Sequence, residues 1–211
     1  MNIEEIREKI LSDDSFVLSE IVKLQYLYGL KRVIRSHLSR ECEDISESVA
    51  EHLYGMHVLV EYFKRIEPCV ADLNYQKVTE LIFAHDLGEI ETGDIATNVK
   101  TDNDRKEEQK LFSNVLDSVP SIISDLIEKI NKEYDSLASD EAKLVKAVDK
   151  LEPMLQYCDE THRQTFQDLK FSANDLERTK KKYIEPYPIL LRFYEVIRDE
   201  YQNKNFFYIE S

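Results

Sequence analysis

Cysteine is scarce in this sequence, with three residues in 211: Cys42, Cys69 and Cys158. The number is odd, the three lie far apart, and no two of them form a CxxC pair. Neither a disulfide framework nor a thiolate zinc site is therefore indicated.

Long apolar runs are also missing. No stretch approaches the roughly 20 apolar residues that span a bilayer. The N-terminal segment, MNIEEIREKILSDDSF, is acidic and has no apolar centre of the kind that defines a signal peptide. We therefore expect a cytoplasmic protein without a membrane partner.

Basic residues are outnumbered, because 28 Lys and Arg stand against 42 Asp and Glu and give a net charge of −14 at pH 7. Such a field repels polyanions, so a nucleic acid polymer is not expected as a partner. A small phosphate ester stays possible, since local Arg or Lys side chains and a bound cation can reverse the sign of the field at one site.

Glycine and proline are few, with four and five residues, and no alternating β-branched run occurs. Apolar residues instead recur at steps of three and four positions, which is the spacing of amphipathic helices. The hydrophobic fraction of 42% is sufficient for a sizeable core, and the length fits one domain. We predict an all-α protein with a single domain over residues 1–211.

The apolar spacing also predicts individual helices and the residues that they bury. In the first, which Asp14 or Ser15 would cap, the buried stripe is Val17, Ile21, Leu24 and Tyr28. The second runs from about Ser48 to Ile66, with Ser46 or Ser48 as its cap. The third runs from about Asn74 to His85 and buries Val78, Leu81, Ile82 and Phe83.

One short stretch, FAHDLGEIETGDI, places a histidine and four acids directly after an apolar segment. These residues are His85, Asp86, Glu89, Glu91 and Asp94. Buried charges are costly unless something pairs with them. Glu91 has no assigned role, and we expect it in solvent.

The remaining histidines differ in their surroundings. His37 and His162 lie among polar residues and are expected in solvent, whereas His52 lies where its helix becomes apolar. A histidine at such a position is most often a satisfied core residue. An acid beside each of His52 and His85 in the sequence raises the prospect of a metal site.

Asp149 is the best candidate for a further acidic ligand, because it lies between Val148 and Leu151 in an apolar helix. The structural alternative is a buried salt bridge from Asp149 to Lys146 or Lys150. Imidazole and carboxylate ligands together suit Mn²⁺, Co²⁺, Zn²⁺ or Fe²⁺, and a shell of carboxylates and water suits Mg²⁺.

Three segments in this order, ESVAEH, AHDLGEIETGDIATNVK and KAVDKLEPMLQ, resemble the HD-domain phosphohydrolase superfamily. Within it they are most similar to the 5′-deoxynucleotidase group, and the resemblance covers roughly Leu24 to Tyr157. It implies an HD-type helical bundle whose core motifs lie in about residues 24–157. The C-terminal helices, in residues 160–205, would then pack on the core or on a dimer partner.

The resemblance also implies roles for particular residues. The metal ligands are His52, His85, Asp86 and Asp149, and they would hold a divalent Mn, Co, Mg, Zn or Fe ion. Glu89 matches a catalytic acid beside the water and the phosphate, and Asp94 matches an acid that contacts the sugar and serves the catalytic machinery. The implied substrate-binding residues are Arg35, on the phosphate, together with Thr92, Asp94 and Lys100.

The chain also departs from the resembling pattern. That pattern often has proline at the positions of Ala96 and Asn98, and bacterial members usually have a tryptophan near the arginine, whereas this chain has no tryptophan. The leading hypothesis is a homodimeric, metal-dependent hydrolase of (deoxy)ribonucleoside 5′-monophosphates. The alternatives are an enzyme for a guanosine polyphosphate, a triphosphate or a cyclic nucleotide, and a non-catalytic helical protein with a vestigial site.

Overall fold

Helices account for the regular structure of the chain. The computed structural model describes residues 1–35, 47–158 and 160–209, with only the backbone of Thr161, and within these ranges no β-strand occurs. One isolated antiparallel bridge joins Ile34 to Ser48. The all-α prediction is confirmed.

Twelve α-helices are assigned within the described residues. They are α1 (Ile3–Ser12), α2 (Asp14–Leu27), α3 (Val49–Phe63), α4 (Tyr75–Ala84), α5 (Glu89–Thr92), α6 (Asp102–Ser118), α7 (Ser121–Ser136), α8 (Asp140–Gln156), α9 (Arg163–Asp168), α10 (Ala173–Leu176), α11 (Lys182–Ile184) and α12 (Pro188–Asn203). A π-helical turn, Glu177–Lys181, joins α10 to α11.

Polar side chains fix the starts of these helices by accepting hydrogen bonds from otherwise unpaired main-chain N–H groups. Ser48 caps α3 and forms a reciprocal capping box with Glu51. Ser139 caps α8 by accepting a hydrogen bond from the Ala142 N–H. Asp13 caps α2, in place of the expected Asp14 or Ser15. Ser46, the other expected cap of α3, lies outside the described residues.

Helix α8 forms the centre of the molecule, and it packs against α3, α4, α7, α11 and α12. Its apolar face is fully buried at Leu144, Val148 and Leu151, and Pro153 lies inside it. The C-terminal helices lie on the same core, where the Tyr201 hydroxyl donates a hydrogen bond to the Met154 carbonyl at 2.6 Å. None of the described helices combines the length and apolar character needed to cross a bilayer.

Three expectations about burial are wrong. The α2 stripe is not in the core: α2 has no buried residue, and Leu24 and Tyr28 are 46% and 57% exposed. Phe83 is 38% exposed, because only one face of α4 meets α8. His162 is buried against the Tyr157 ring, with ring centroids 5.0 Å apart. His37 lies outside the described residues.

Candidate active site

Three separate parts of the chain bring the predicted metal ligands together. His52 lies near the start of α3, His85 caps the C-terminus of α4, and Asp86 follows in the turn before α5. Asp149 projects from α8. The helix ends at Ala84. Adjacent residues in the turn can therefore both face the same point.

The distances define a compact cluster. One ligand atom from each of His52, His85 and Asp86 lies within 4.8 Å of the others. Asp86 Oδ2 is 3.2 Å from His85 Nε2 and 3.9 Å from His52 Nε2. Asp149 Oδ1 lies 3.5 Å from His52 Nε2. Three of the four predicted ligands thus form one group, and Asp149 adjoins this group at His52.

The second nitrogen of each imidazole fixes which nitrogen faces the cluster. His85 Nδ1 lies 3.0 Å from the Ile82 carbonyl, and His52 Nδ1 lies 2.6 Å from Glu152 Oε2. A carbonyl oxygen only accepts, so His85 Nδ1 carries the proton, and the carboxylate of Glu152 favours the same tautomer in His52. In the neutral rings both Nε2 lone pairs then point into the cluster. Metal-binding histidines are held in this way.

Three buried atoms in the cluster lack a hydrogen-bond partner within the described residues. They are His52 Nε2, His85 Nε2 and Asp86 Oδ2. Buried polar atoms nearly always have a partner. A divalent cation would supply one to all three at once, and the imidazole and carboxylate donors suit such an ion. The residues present therefore fit the implied metal.

The charges in the cluster reinforce this fit. Burial and Arg35 both favour neutral His52, but Asp149 and Glu152 outweigh them and raise the pKa of His52 to about 9. Burial also opposes ionisation of Asp86, yet His85 and His52 hold the pKa of this carboxyl below its usual range. The site therefore favours positive charge at its centre.

Asp149 serves two sets of partners. Its Oδ2 accepts a hydrogen bond from the Tyr134 hydroxyl at 2.8 Å and faces Lys150 Nζ at 2.9 Å and Lys146 Nζ at 3.5 Å. Its Oδ1 faces His52. The predicted salt bridges to Lys146 and Lys150 therefore use Oδ2, and Oδ1 faces the cluster, where it could reach an ion.

Glu89 lies beside the cluster but not on the helix of His85. Helix α4 has ended, and Glu89 begins the short helix α5 after four turn residues. Its Oε2 is buried without a hydrogen-bond partner among the described residues. Burial raises the pKa of Glu89 well above its usual value, and the carboxylates of Asp86 and Asp94 add to this rise. Such a carboxyl holds its proton to a higher pH than a free glutamate does.

An open cavity of about 410 Å³ lies over the cluster and is lined by Arg35, Glu89, Asp94 and Lys100 among others. Arg35 Nη1 is 3.8 Å from Asp86 Oδ2, and Arg35 Nε is 3.9 Å from Glu47 Oε2. Lys100 forms an ion pair of 2.6 Å with Glu108. Arg35 thus stands directly beside the candidate metal position.

Two other polar side chains of the FAHDLGEIETGDI stretch, those of Thr92 and Glu91, form hydrogen bonds with other parts of the protein. The Thr92 hydroxyl donates to the Gly93 carbonyl at 3.1 Å, and Thr92 does not line this cavity, so the structure offers no support for its expected substrate contact. Glu91 is exposed, as expected, and accepts a hydrogen bond from the Tyr26 hydroxyl at 2.6 Å.

The predicted site residues did not include Glu152. This residue is only 5% exposed, and its carboxylate contacts His52 Nδ1, on the side of the ring away from the cluster. The available signal was the same as for Asp149, since Glu152 is an acid that directly follows the apolar Leu151 in the helical segment KAVDKLEPML. Gly55 of α3 makes room for it: a Cβ atom at this position would clash with the carboxylate and lie 3.0 Å from Glu152 Cδ. Glu47 is the third member of a buried group with His52 and Glu152.

Comparisons with known proteins agree with this arrangement. A family model described as HD domain matches residues 27–189. The 5′-deoxynucleotidase HDDC2 of Mus musculus is 29% identical over 135 residues, which is 63% of this chain and 65% of that protein. The 5′-deoxynucleotidase hdd1 of Schizosaccharomyces pombe is 31% identical over 145 residues, which is 66% of this chain and 71% of that protein.

A solved structure shows the same fold. It is the predicted metal-dependent phosphohydrolase of Magnetospirillum magnetotacticum, which superposes with a TM-score of 0.77 at 18% identity over 92% of this chain and 96% of that one. The chain spans just under two thirds of the mouse relative. The family match over residues 27–189, together with the site geometry, shows that this chain belongs to the HD domain family.

Proposed function

We propose that this chain is a divalent-metal-dependent phosphohydrolase that cleaves nucleoside 5′-monophosphates, ribo or deoxyribo, to nucleoside and phosphate. The observation that carries the proposal is the group of three buried, unpartnered ligand atoms beside Arg35 within the described structure. The printed names of the mouse and fission yeast relatives, both 5′-deoxynucleotidases, support the substrate class.

The metal would be held by His52, His85, Asp86 and Asp149. A divalent ion supplies Lewis acidity toward a phosphoryl oxygen and an attacking water. Imidazole and carboxylate ligands suit Mn, Co, Zn or Fe, and carboxylates with water suit Mg.

The side chains around the metal position supply the rest of the chemistry. The Arg35 guanidinium can pair with phosphate oxygens in two-pronged fashion. Glu89, with its raised pKa, can position the water or deliver a proton to the leaving sugar oxygen. Asp94 lines the same cavity and suits a sugar hydroxyl, and Lys100 is a second cation near the phosphate.

Two further properties belong to the proposal. The exposed apolar residues of α1 and α2, among them Leu11, Leu18 and Val22 at 87%, 63% and 66% exposure, support a homodimer that covers them. The thiols of Cys69 and Cys158 are free, which supports placement in the reducing cytoplasm. Light scattering tests the first and fractionation of cells tests the second.

A phosphate-release screen tests the function. Common ribo- and deoxyribonucleoside 5′-monophosphates are offered with Mn²⁺, Co²⁺ or Mg²⁺, beside a guanosine tetraphosphate, a triphosphate and a cyclic nucleotide. We expect inorganic phosphate from the monophosphates. Release of pyrophosphate, or turnover of the cyclic nucleotide alone, would show that the site acts on another class of substrate. Absence of both turnover and bound metal would favour the vestigial reading.

A further inference from the structure

A second cavity, smaller than the first, adjoins the candidate active site and shares Arg35 and Thr97 with it. Its volume is about 70 Å³, and roughly 10–15 Å³ is enough to hold one water molecule. A small planar ring therefore fits. Its walls are mainly apolar and include the aromatic side chains of Phe166, Phe171 and Tyr201.

Besides the shared Arg35 and Thr97, the polar side chains of Asn98, Thr165 and Lys180 line this cavity. Asn98 Oδ1 and Thr165 Oγ1 are buried and have no hydrogen-bond partner among the residues that the structure describes. Lys180 is 9% exposed, and its Nζ donates one hydrogen bond, to the Lys150 carbonyl at 3.1 Å. The ammonium or amine group therefore keeps donors for a further partner.

The mainly apolar and aromatic lining of the cavity suits an uncharged ring. The pKa of Lys180 is lowered to about 7. Burial is the main cause, the cations Lys150 and Arg35 add to it, and Asp149 and Glu152 act in the opposite direction. A large share of the amine is then neutral near pH 7. Aromatic and apolar walls with a few hydrogen-bonding groups are the usual surroundings of a flat heterocycle.

One short segment of the chain passes from the active-site cavity into the second cavity. The metal ligands His85 and Asp86 come first, then Glu89 and Asp94 in the active-site cavity, and then residues 96–98 in the second cavity. Ala96 and Asn98 are the two positions at which the resembling sequence pattern often has proline. A smaller or polar side chain at each of them faces this cavity.

The π-helical turn and the residues that flank it contribute side chains to both cavities. Leu176 and Lys180 line the second cavity, whereas Arg178, Thr179 and Lys182 line the active-site cavity. The wider turn of a π-helix alters the direction of successive side chains, and such turns are frequent at functional sites. A ligand that spans both cavities would therefore touch this segment twice.

We propose that the second cavity receives the nucleobase of the substrate, with Lys180 and Asn98 at its polar edge and Phe166, Phe171 and Tyr201 around its faces. This inference rests on the proposed function, because it assigns a position to one part of the proposed substrate. The base then contributes binding energy on which the choice among substrates depends.

The test compares a nucleotide with the same phosphate ester lacking a base. The quantity measured is kcat/KM for a deoxyribonucleoside 5′-monophosphate divided by kcat/KM for 2-deoxyribose 5-phosphate. In the unmodified protein we expect a ratio of about ten or more. In Lys180→Met we expect the ratio to fall by about tenfold, because a hydrogen-bond donor to the base is lost. Any disturbance of Lys150 affects both substrates and cancels in the ratio.

Lys181→Met is the matched control, since this neighbour lines neither cavity and pairs with Glu177 at 2.9 Å. Its ratio should equal that of the unmodified protein. A second variant, Ala96→Leu, fills the cavity from another wall and should lower the ratio even if Lys180→Met does not fold. Inhibition by the free nucleoside should weaken in parallel in both variants.

The outcomes separate the two proposals. A ratio near one in the unmodified protein, or ratios unmoved by both Lys180→Met and Ala96→Leu, overturns the base pocket while phosphate release still supports the proposed function. Release of phosphate from neither substrate overturns the proposed function, and the base pocket with it.

Discussion

At the scale of single residues, the two imidazoles of the candidate metal centre are held by different acceptors. His85 donates to the main-chain carbonyl of Ile82, whereas His52 donates to the carboxylate of Glu152. A carboxylate makes the imidazole a more basic ligand than a carbonyl does. Substitution of Glu152 should therefore be felt at the metal without any loss of a ligand.

We predict that Glu152→Gln weakens binding of Mn²⁺ by about 10- to 100-fold, because the amide cannot support the His52 ring with a negative charge. Competition with a coloured chelator gives the dissociation constant. Glu185→Gln, an exposed position on the C-terminal side of α11, is the control. Equal affinities in the two variants would show that Glu152 only fills space.

Glu89 and Asp94 line the same cavity and should differ in kinetic effect. We predict that Glu89→Gln lowers kcat while bound metal is retained, because the acid acts on the reacting atoms. Asp94→Asn should change the ratio of kcat/KM between a ribo- and a deoxyribonucleotide more than Glu89→Gln does, since that ratio reports differential binding of the transition states. If Asp94→Asn slows both substrates equally, Asp94 belongs with the catalytic acids and not with the sugar.

At the scale of helices, the close approach of α3 and α8 depends on Gly55. The missing side chain leaves space for Glu152, which enters between the helices to reach His52. A glycine inside a helix normally costs about 1 kcal/mol relative to alanine. Here that cost is offset by the placement of a carboxylate behind a metal ligand.

We predict that Gly55→Ala lowers the free energy of unfolding by about 1–3 kcal/mol, as overpacking of a core does. The direction is opposite to the gain that helix propensity alone predicts. Gly88→Ala is the matched control, because a Cβ there meets nothing closer than 3.7 Å. Urea denaturation of both variants supplies the numbers, and a stabilised Gly55→Ala would contradict the packing described for Glu152.

The helices also show how much the spacing of apolar residues can predict. In α3 the apolar residues Val49, Met56 and Phe63, which recur at seven-residue steps, are buried, because α8 covers the face on which they lie. The equally regular stripe of α2 is exposed, since an amphipathic pattern specifies a face but not whether another element covers it. The end of α4 was predicted to within one residue, at about His85 against Ala84, whereas the short helix α5 that begins at Glu89 was not predicted.

At the scale of the whole molecule, the metal position joins residues that are far apart in sequence. His52, the pair His85-Asp86 and Asp149 come from α3, the end of α4 and α8. The family resemblance implies these four residues as ligands, and the structure brings them close together. The second cavity could not be predicted, because its walls combine residues 96–98 with the segment from Met154 to Tyr201, and no short-range pattern links them.

A ligand that binds only the folded chain stabilises it by mass action. We predict that Mn²⁺ at 100 times its dissociation constant raises the free energy of unfolding by about 2.7 kcal/mol. Excess EDTA should remove this increment, and Asp86→Asn should not show it. Asp117→Asn, on the exposed side of α6, should respond as the unmodified protein does. An equal response of the two variants would place the ion elsewhere.

The three-residue separation of Asp149 and Glu152 on α8 has a consequence for how such chains can vary in length. One acid faces the ion position and the other faces the back of His52, so both depend on the rotational phase of a single helix. Each inserted or deleted residue turns the following side chains by about 100°. A one-residue insertion between them would keep both acids in the chain, but Glu152 would no longer contact His52 if Asp149 kept its position. The D-x-x-E spacing is therefore a pattern to search for in other sequences.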